Sequence, residues 1–527
     1  MANICLHQHS SYPWQHQDAL HFRGYFQING ACYSGEKALA YLSQHRIDPF
    51  DGLLSSLNGV FSIIWDHGDS VLFAVDRLRG LPLFYALENG ELLLSDDAQT
   101  VADALPALSL NEPAVHEYAA TATFVPGRET LLKGVYQVQA GECCVFEAQT
   151  AELKRHFYFR YVHSHLYTAE EHDAMLSAFH AAYAAAGQRM VQALHGCTAV
   201  VPLSGGADSR MVLSMLKANH YEKVICFTYG KPGNTESKIS QQVAAEYGYP
   251  WHFVPYTRAM WKALRNDPET NAYFALAFQY VSTPHVQDFP AVRALKAEGI
   301  LPEDSVFVPG HSGDMIAGSH ITAEFLRPQL SHTEFLQTVF HKFFREHLDT
   351  VDFERISARF PICDARDMEA MASQAERFNI QERQAKFIVN SVRVYEFFGY
   401  EWLIPLWDNA LFDFWARVPI AQRYRRRLYF EALGESQIPS TNDMTPSKRL
   451  ADAVRQIPGL RVIPRRVARL KRYSDSSLYE EQFARPWPYI SACLGRLSPL
   501  FEVNDLICED LICGVTGKIK AKESQQT

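Results

Sequence analysis

Apolar and polar positions follow one rhythm in the first third of this chain and another beyond it. From Phe22 onward, short apolar runs of strand length recur: Tyr25-Phe26-Gln27-Ile28, Val60-Phe61-Ser62-Ile63-Ile64-Trp65, Val71-Leu72-Phe73-Ala74-Val75, Leu83-Phe84-Tyr85-Ala86 and Glu91-Leu92-Leu93-Leu94-Ser95. Turn formers such as Asn29-Gly30, Asn58-Gly59 and Asp66-His67-Gly68-Asp69 separate them, and Gly141 to Phe146 repeats the theme. Such spacing predicts a β-rich N-terminal domain of about 160 residues. A polar stretch over 161–170 marks its end. Ala169 to Leu194 then reads as a long helix, with Met175, Phe179, Tyr183, Met190 and Leu194 on one face.

From Thr198 the pattern alternates. An apolar run, Thr198 to Leu203, precedes an amphipathic segment with Met211, Val212, Met215 and Leu216 at helical spacing. Val224 to Thr228 is a second strand, Glu236 to Tyr247 a helix, and Trp251 to Val254 a third strand. Strands alternating with helices predict a parallel sheet with a ligand across the C-terminal ends of its strands.

Bulk properties narrow the class. A length of 527 residues predicts two or three domains, and 47% hydrophobic with 21% charged residues is globular. A net charge of −9 argues against a nucleic-acid partner. The ten cysteines are scattered and form no Cys-x-x-Cys pair, which predicts reduced thiols in a cytoplasmic protein without a zinc site. The leader has no basic region followed by an apolar core, so no signal peptide is expected, nor is any run long enough to span a membrane. His7, His9, His16 and His21 make residues 1–22 histidine-rich; without a carboxylate partner they predict a solvated segment rather than a metal site.

The candidate chemistry begins where the first parallel strand stops, at Ser204-Gly205-Gly206-Ala207-Asp208-Ser209. Strand, small-residue loop and helix turn backbone N–H groups toward an anion, glycines allow close approach to phosphate, and serine hydroxyls donate to its oxygens. Asp208 suits a Mg²⁺ that travels with ATP. No Lys follows the second glycine, so this is not the Walker pattern. A second strand, Val306-Phe307-Val308-Pro309, ends in Gly310-His311-Ser312-Gly313-Asp314, where Asp314 reads either as a ligand or as a helix cap. The segment Arg461 to Arg472 is a basic amphipathic stretch, either a solvated face or a docking surface for an acidic partner.

Ser-Gly-Gly-x-Asp-Ser resembles the pyrophosphate loop of enzymes that cleave ATP between its α and β phosphates. The ordered motifs Asn29-Gly30-x-x-Tyr33, Leu57-Asn58-Gly59-Val60-Phe61, Asp76-Arg77-x-x-Gly80-x-Pro82-Leu83-Phe84-Tyr85 and Ser95-Asp96 resemble the glutaminase domain of class B asparagine synthetases. Glycine-rich Gly310 to Gly318 and Phe398-Gly399-Tyr400-Glu401-x-x-Ile404-Pro405-Leu406-x-Asp408 are similar to later motifs of the same family. The resemblance implies a degenerate Ntn-glutaminase-like domain over 1–165, a parallel-sheet ATP-pyrophosphatase domain with a helical C-terminal part over 166–475, and an extension over 476–527. It implies ATP and Mg²⁺, with Leu203 and Val254 beside the adenosine, Ser204, Gly205, Gly206, Ser209 and Gly310 around the nucleotide, and metal on Asp208 and Asp314. Arg393 falls where asparagine synthetases carry a basic residue, and Lys448 matches a phosphate-neutralising lysine.

The family's glutaminase uses an N-terminal cysteine whose own amine is the base. Here Ala2 stands after Met1, and Cys5 is the nearest cysteine, so glutamine hydrolysis is not expected. Relatives that form β-lactams place a Tyr at the position of His311 and an orienting acid at that of Glu401. A His311–Glu401 base pair is therefore expected, against a loop histidine and a structural ion pair as the alternatives. The implied function is an ATP-dependent ligase that activates a small-molecule or peptide carboxylate as an acyl-adenylate and joins it to ammonia or an amine. Aspartate amidation, intramolecular ring closure, amidation of a sugar acid, and an inactive ATP-binding subunit all stay open, as does a homodimer.

Overall fold

The computed structural model of the chain describes residues 2–45, 52–264, 267–327, 330–344, 351–360, 367–434 and 503–526. Its N-terminal region carries β1 (Ala2–Cys5), β2 (Gln15–Gln17), β3 (Leu20–Ile28), β4 (Ala31–Ser34), β5 (Asn58–Asp66), β6 (Ser70–Val75), β7 (Phe84–Glu88), β8 (Glu91–Ser95), β9 (Tyr136–Gln137), β10 (Glu142–Glu147) and β11 (Glu152–Phe157). They form two sheets, one in the order β1-β8-β7-β9, the other β11-β10-β6-β5-β3-β2 with β4 paired to β3.

Strand periodicity explains why the apolar runs here are nearly continuous. Successive side chains point to opposite faces of a strand. Ile64, Phe73 and Cys144 therefore join Tyr85, Leu92 and Leu94 between the sheets. Their neighbours Ile63, Leu72 and Cys143 pack on the other face with Leu39 and Leu42 of the helix Gly35–Gln44. Both faces of the larger sheet are covered, so both positions of each pair must be apolar. The eight cysteines among the described residues are free thiols.

Part of the histidine-rich leader is built into this domain, while His7 and His16 stay exposed. β1 lies parallel to β8, with Ala2 opposite Leu92 and Cys5 opposite Ser95. Asp96 supplies the carboxylate partner: it accepts from Trp14 Nε1 at 2.7 Å, lies 2.6 Å from His9 Nε2, and takes the His7 backbone N–H at 3.1 Å. An Asp that is 7% exposed needs such donors, and the leader's polar residues provide them.

The second region is a five-stranded parallel sheet, β14-β13-β12-β15-β16, made of β12 (Thr198–Pro202), β13 (Val224–Gly230), β14 (Trp251–Pro255), β15 (Ser305–Phe307) and β16 (Glu401–Trp402). The expected long helix is α1 (His172–Leu194), preceded by a tighter turn whose Thr168 and Glu171 form a reciprocal capping box. α2 (Ala207–Ala218) and α3 (Thr235–Tyr247) follow β12 and β13. The chain passes from β12 outward through β13 to β14, then returns to place β15 on the other side of β12. That reversal puts a crevice at the C-terminal ends of β12 and β15, where such sheets bind ligands. Beyond lie α4 (Met368–Phe378), a wider-pitched helical segment Asn379–Ile388, and α5 (Arg427–Ala432).

Buried polar contacts tie the two regions together. Arg189 of α1 grips Asp408 through two bonds of 2.7 and 2.6 Å, and Asn58 Nδ2 donates to the same carboxylate at 2.7 Å. Arg23 pairs with Glu396, which also pairs with Arg393, and Arg393 donates to the Gly80 carbonyl. Arg393 is thus part of the contact between regions. α6 (Val503–Gln526), a stretch without a sequence motif, packs on the helix Glu112–Thr121, burying Cys508 beside Tyr118. None of the described helices is long and apolar enough to cross a membrane.

Candidate functional site

Two loops meet at the crevice. The first leaves β12 at Leu203, whose N–H donates to Phe227 O at 2.8 Å and whose carbonyl accepts from Thr228 Oγ1. Ser209 then closes the turn on itself: its hydroxyl receives Ser204 N at 3.2 Å and lies 3.1 Å from Ser204 Oγ. Gly206 N donates back to Ser204 Oγ at 3.2 Å. α2 starts immediately afterwards, and among the described residues no side chain caps it. Its first N–H groups are therefore available to an anion, with the helix dipole favouring negative charge there.

The second loop, after β15, packs directly against the first. A Cβ on Gly310 would fall 2.6 Å from Ser209 N, and one on Gly313 would fall 2.9 Å from Leu406 Cδ1 and 3.2 Å from the Asp208 carboxyl carbon. Glycine is required at both positions by this approach. The result brings the two acids together, with the Asp314 backbone N–H donating to Asp208 Oδ2 at 2.9 Å. Burial, and secondly the charge of Asp314, push the Asp208 carboxyl up to about 7. Two half-buried carboxylates whose charges act on each other repel, and a divalent cation relieves that repulsion. No group of three or more His, Cys, Asp or Glu ligands converges among the described residues. A pair of carboxylates fits Mg²⁺, which keeps waters and shares itself with phosphate.

Val254 stands at the C-terminal end of β14, opposite Tyr229, and Leu203 is two strands away at the same end of the sheet. The geometry thus gathers Leu203, Ser204, Gly205, Gly206, Asp208, Ser209, Gly310 and Asp314 along one edge, with Val254 at its far side. His311 follows Gly310 in the second loop, with Nε2 2.6 Å from Ser391 Oγ. Ser391 donates its one hydrogen to Ile388 O at 2.7 Å, so His311 Nε2 carries the proton and Nδ1 the lone pair. Burial holds His311 down to about 4, a neutral imidazole at pH 7.

Among the described residues, no hydrogen bond or ion pair joins Glu401 to His311. Glu401 is paired across the sheet with Val306, level with the start of β15, and its charge acts on Tyr12 and on Cys197 just ahead of β12. That is the N-terminal end of the strands, away from the loops. The strand register decides this: only residues after Trp402, opposite Phe307, point toward the crevice end. The expected His311–Glu401 pair is therefore not formed. Lys448 and the segment Arg461 to Arg472 lie outside the described residues.

Four residues join the site without having been singled out by sequence. Tyr429 of α5 donates to Asp208 Oδ1 at 2.6 Å. Gln384, in the wide segment, accepts from Ser312 Oγ at 2.7 Å, and Ser391 holds His311. Arg426 is close enough for its charge to act on both Asp208 and Tyr429. The run Arg425-Arg426-Arg427 was the one available signal, a basic cluster four to two residues before Tyr429.

A parallel sheet with two glycine loops and paired acids at its switch point is an arrangement at which open sheets bind ligands. Comparison with known families sharpens this. A glutamine amidotransferase domain matches residues 51–159, and an asparagine synthase domain matches residues 187–270. The two matches, in that order along one chain, are consistent with a member of the asparagine synthetase family. The second supports an ATP-dependent amidotransferase or ligase. No curated protein matches the chain.

Proposed function

We propose that the protein is an ATP-dependent carbon–nitrogen ligase that activates a carboxylate as its acyl-adenylate, releasing pyrophosphate, and transfers ammonia or an amine to it, releasing AMP. The observation that carries this reading is the contact between the two loops, Asp314 N to Asp208 Oδ2. It brings two acids and a helix N-terminus to one crevice, as a metal–triphosphate would require. Mg²⁺ held by Asp208 and Asp314 would supply positive charge against the triphosphate. The chain's own groups do the rest. Backbone N–H groups at the start of α2 and the Ser204 hydroxyl bind phosphate oxygens, and Tyr429 fixes the rotamer of Asp208. Among the described residues, Arg426 is a cation placed to offset charge on the departing pyrophosphate.

In this reading the degenerate glutaminase-like domain spans 1–165, the ATP-binding domain 166–475 and the extension 476–527. His311 serves the second loop as a neutral side chain held by Ser391, and a Glu401-assisted base plays no part. Screening carboxylic acids for enzyme-dependent release of pyrophosphate and AMP tests the proposal. Formation of ADP and phosphate instead would overturn it.

A further inference from the structure

Away from the crevice, a cavity of about 280 Å³ opens between the N-terminal sheets and α4. Arg128, Arg155 and Arg160 line it from the N-terminal side, and Arg359 and Arg377 from the C-terminal side. On a chain of net charge −9, this concentration of guanidinium groups is a local reversal of sign.

The acids nearby offset only part of it, Glu117 against Arg359 and Glu142 against Arg155. Glu382 accepts from Gly127 N at 2.9 Å and pairs with Lys386. Glu117 is shared by Arg355 at 2.8 Å and Arg359 at 3.0 Å, and Glu142 is 3.5 Å from Arg155. Donors remain. Arg359 Nη1 is buried and has no hydrogen-bond partner among the described residues. Arg128 lies over the Tyr136 ring at 4.8 Å and Arg160 over the Phe157 ring at 4.3 Å. Ring contact fixes the plane of a guanidinium and leaves its N–H edge for a planar or tetrahedral oxyanion.

We propose that this cavity is a binding site for a small, multiply charged oxyanion, a molecule bearing phosphate or several carboxylates. Its floor is part of the segment Asn379–Ile388, which also contains Gln384. Gln384 accepts from Ser312 of the second loop, so an occupant touching Gln381 lies three residues from a contact of the candidate nucleotide site. The site is separate from that crevice, and its occupancy does not depend on the ligase reading.

The test is isothermal titration of the full-length chain at constant ionic strength, with inorganic phosphate in one arm and citrate in the other. Each titration is run with and without saturating α,β-methylene ATP. Saturable binding of one equivalent that survives the nucleotide analogue is expected, and the arm that gives it identifies phosphate or polycarboxylate chemistry. The Arg128→Gln/Arg160→Gln variant should bind about tenfold or more weakly, the scale of lost charge-assisted hydrogen bonds. Arg160→Gln alone, at an exposed position, should weaken binding in the same direction. Arg327→Gln removes an exposed charge elsewhere and should change nothing. Absence of saturable binding in both arms, displacement by the analogue, or equal weakening in the Arg327→Gln control would each overturn the proposal.

Discussion

At the scale of single residues, the protonation of Asp208 is the most testable feature. Its carboxyl is raised from the ordinary 3.8 to about 7, first by burial and then by Asp314. Between those values the folded chain binds more protons than the unfolded one, so stability falls as pH rises through this window. Asp208→Asn should remove that slope and stabilise the metal-free protein at pH 8 by on the order of 1–3 kcal/mol. Denaturant unfolding at pH 5 and pH 8 checks it; an unchanged slope would show that Asp208 does not carry the repulsion. The same substitution, like Asp314→Asn, should cost turnover about 3 kcal/mol of barrier, the scale of lost electrostatic stabilisation. His311 points to a second experiment. Buried and lowered to about 4, it is neutral across the working range. The amide-forming rate should show no inflection near pH 6.5, and an inflection that vanishes in His311→Ala would return the residue to the role of general base.

At the scale of elements, the site depends on two loops touching through glycine. The Cβ of Gly310→Ala would lie 2.6 Å from Ser209 N, a backbone atom that cannot move without displacing the start of α2. Nucleotide affinity should fall at least about tenfold, with a cost in stability of about 1–3 kcal/mol from overpacking. Equilibrium binding of an ATP analogue with parallel unfolding curves separates the two effects. Wild-type affinity would mean that the loops are not held this closely. The wide segment Asn379–Ile388 and the residues after it act as a clamp behind the second loop, through Gln384 on Ser312 and Ser391 on His311.

For the whole molecule, the two regions are joined by charges that neither could leave unpaired. The Asp408 side chain is 6% exposed and receives Arg189 and Asn58 together. Arg189→Ala strands a buried carboxylate, so a loss of about 3 kcal/mol in unfolding free energy is expected, the scale for breaking a buried pair. Asn58 still donates, which sets the lower end. A loss under about 0.5 kcal/mol, the level of a surface ion pair, would mean that Asp408 is satisfied without Arg189.

Local periodicity alone determined most of the architecture: the strand-rich first region, the long helix before Thr198, and the alternation from Thr198 to Pro255 that makes a parallel sheet. It also determined the first loop, because strand, glycines and helix start are consecutive in the chain and their chemistry is local. The leader was misread in part, for a reason of range: Asp96, the carboxylate that organises His7, His9 and Trp14, is more than eighty residues away. Tertiary structure alone decided the rest of the site. Motif spacing allowed Glu401 to orient His311, but register across β15 and β16 sets them at different levels of the sheet. Tyr429, Gln384 and Ser391 carry no motif because a hydroxyl or amide acquires a role only from what packing places within about 3 Å of it. A sequence specifies which groups are present near each loop; only the folded register specifies which of them meet.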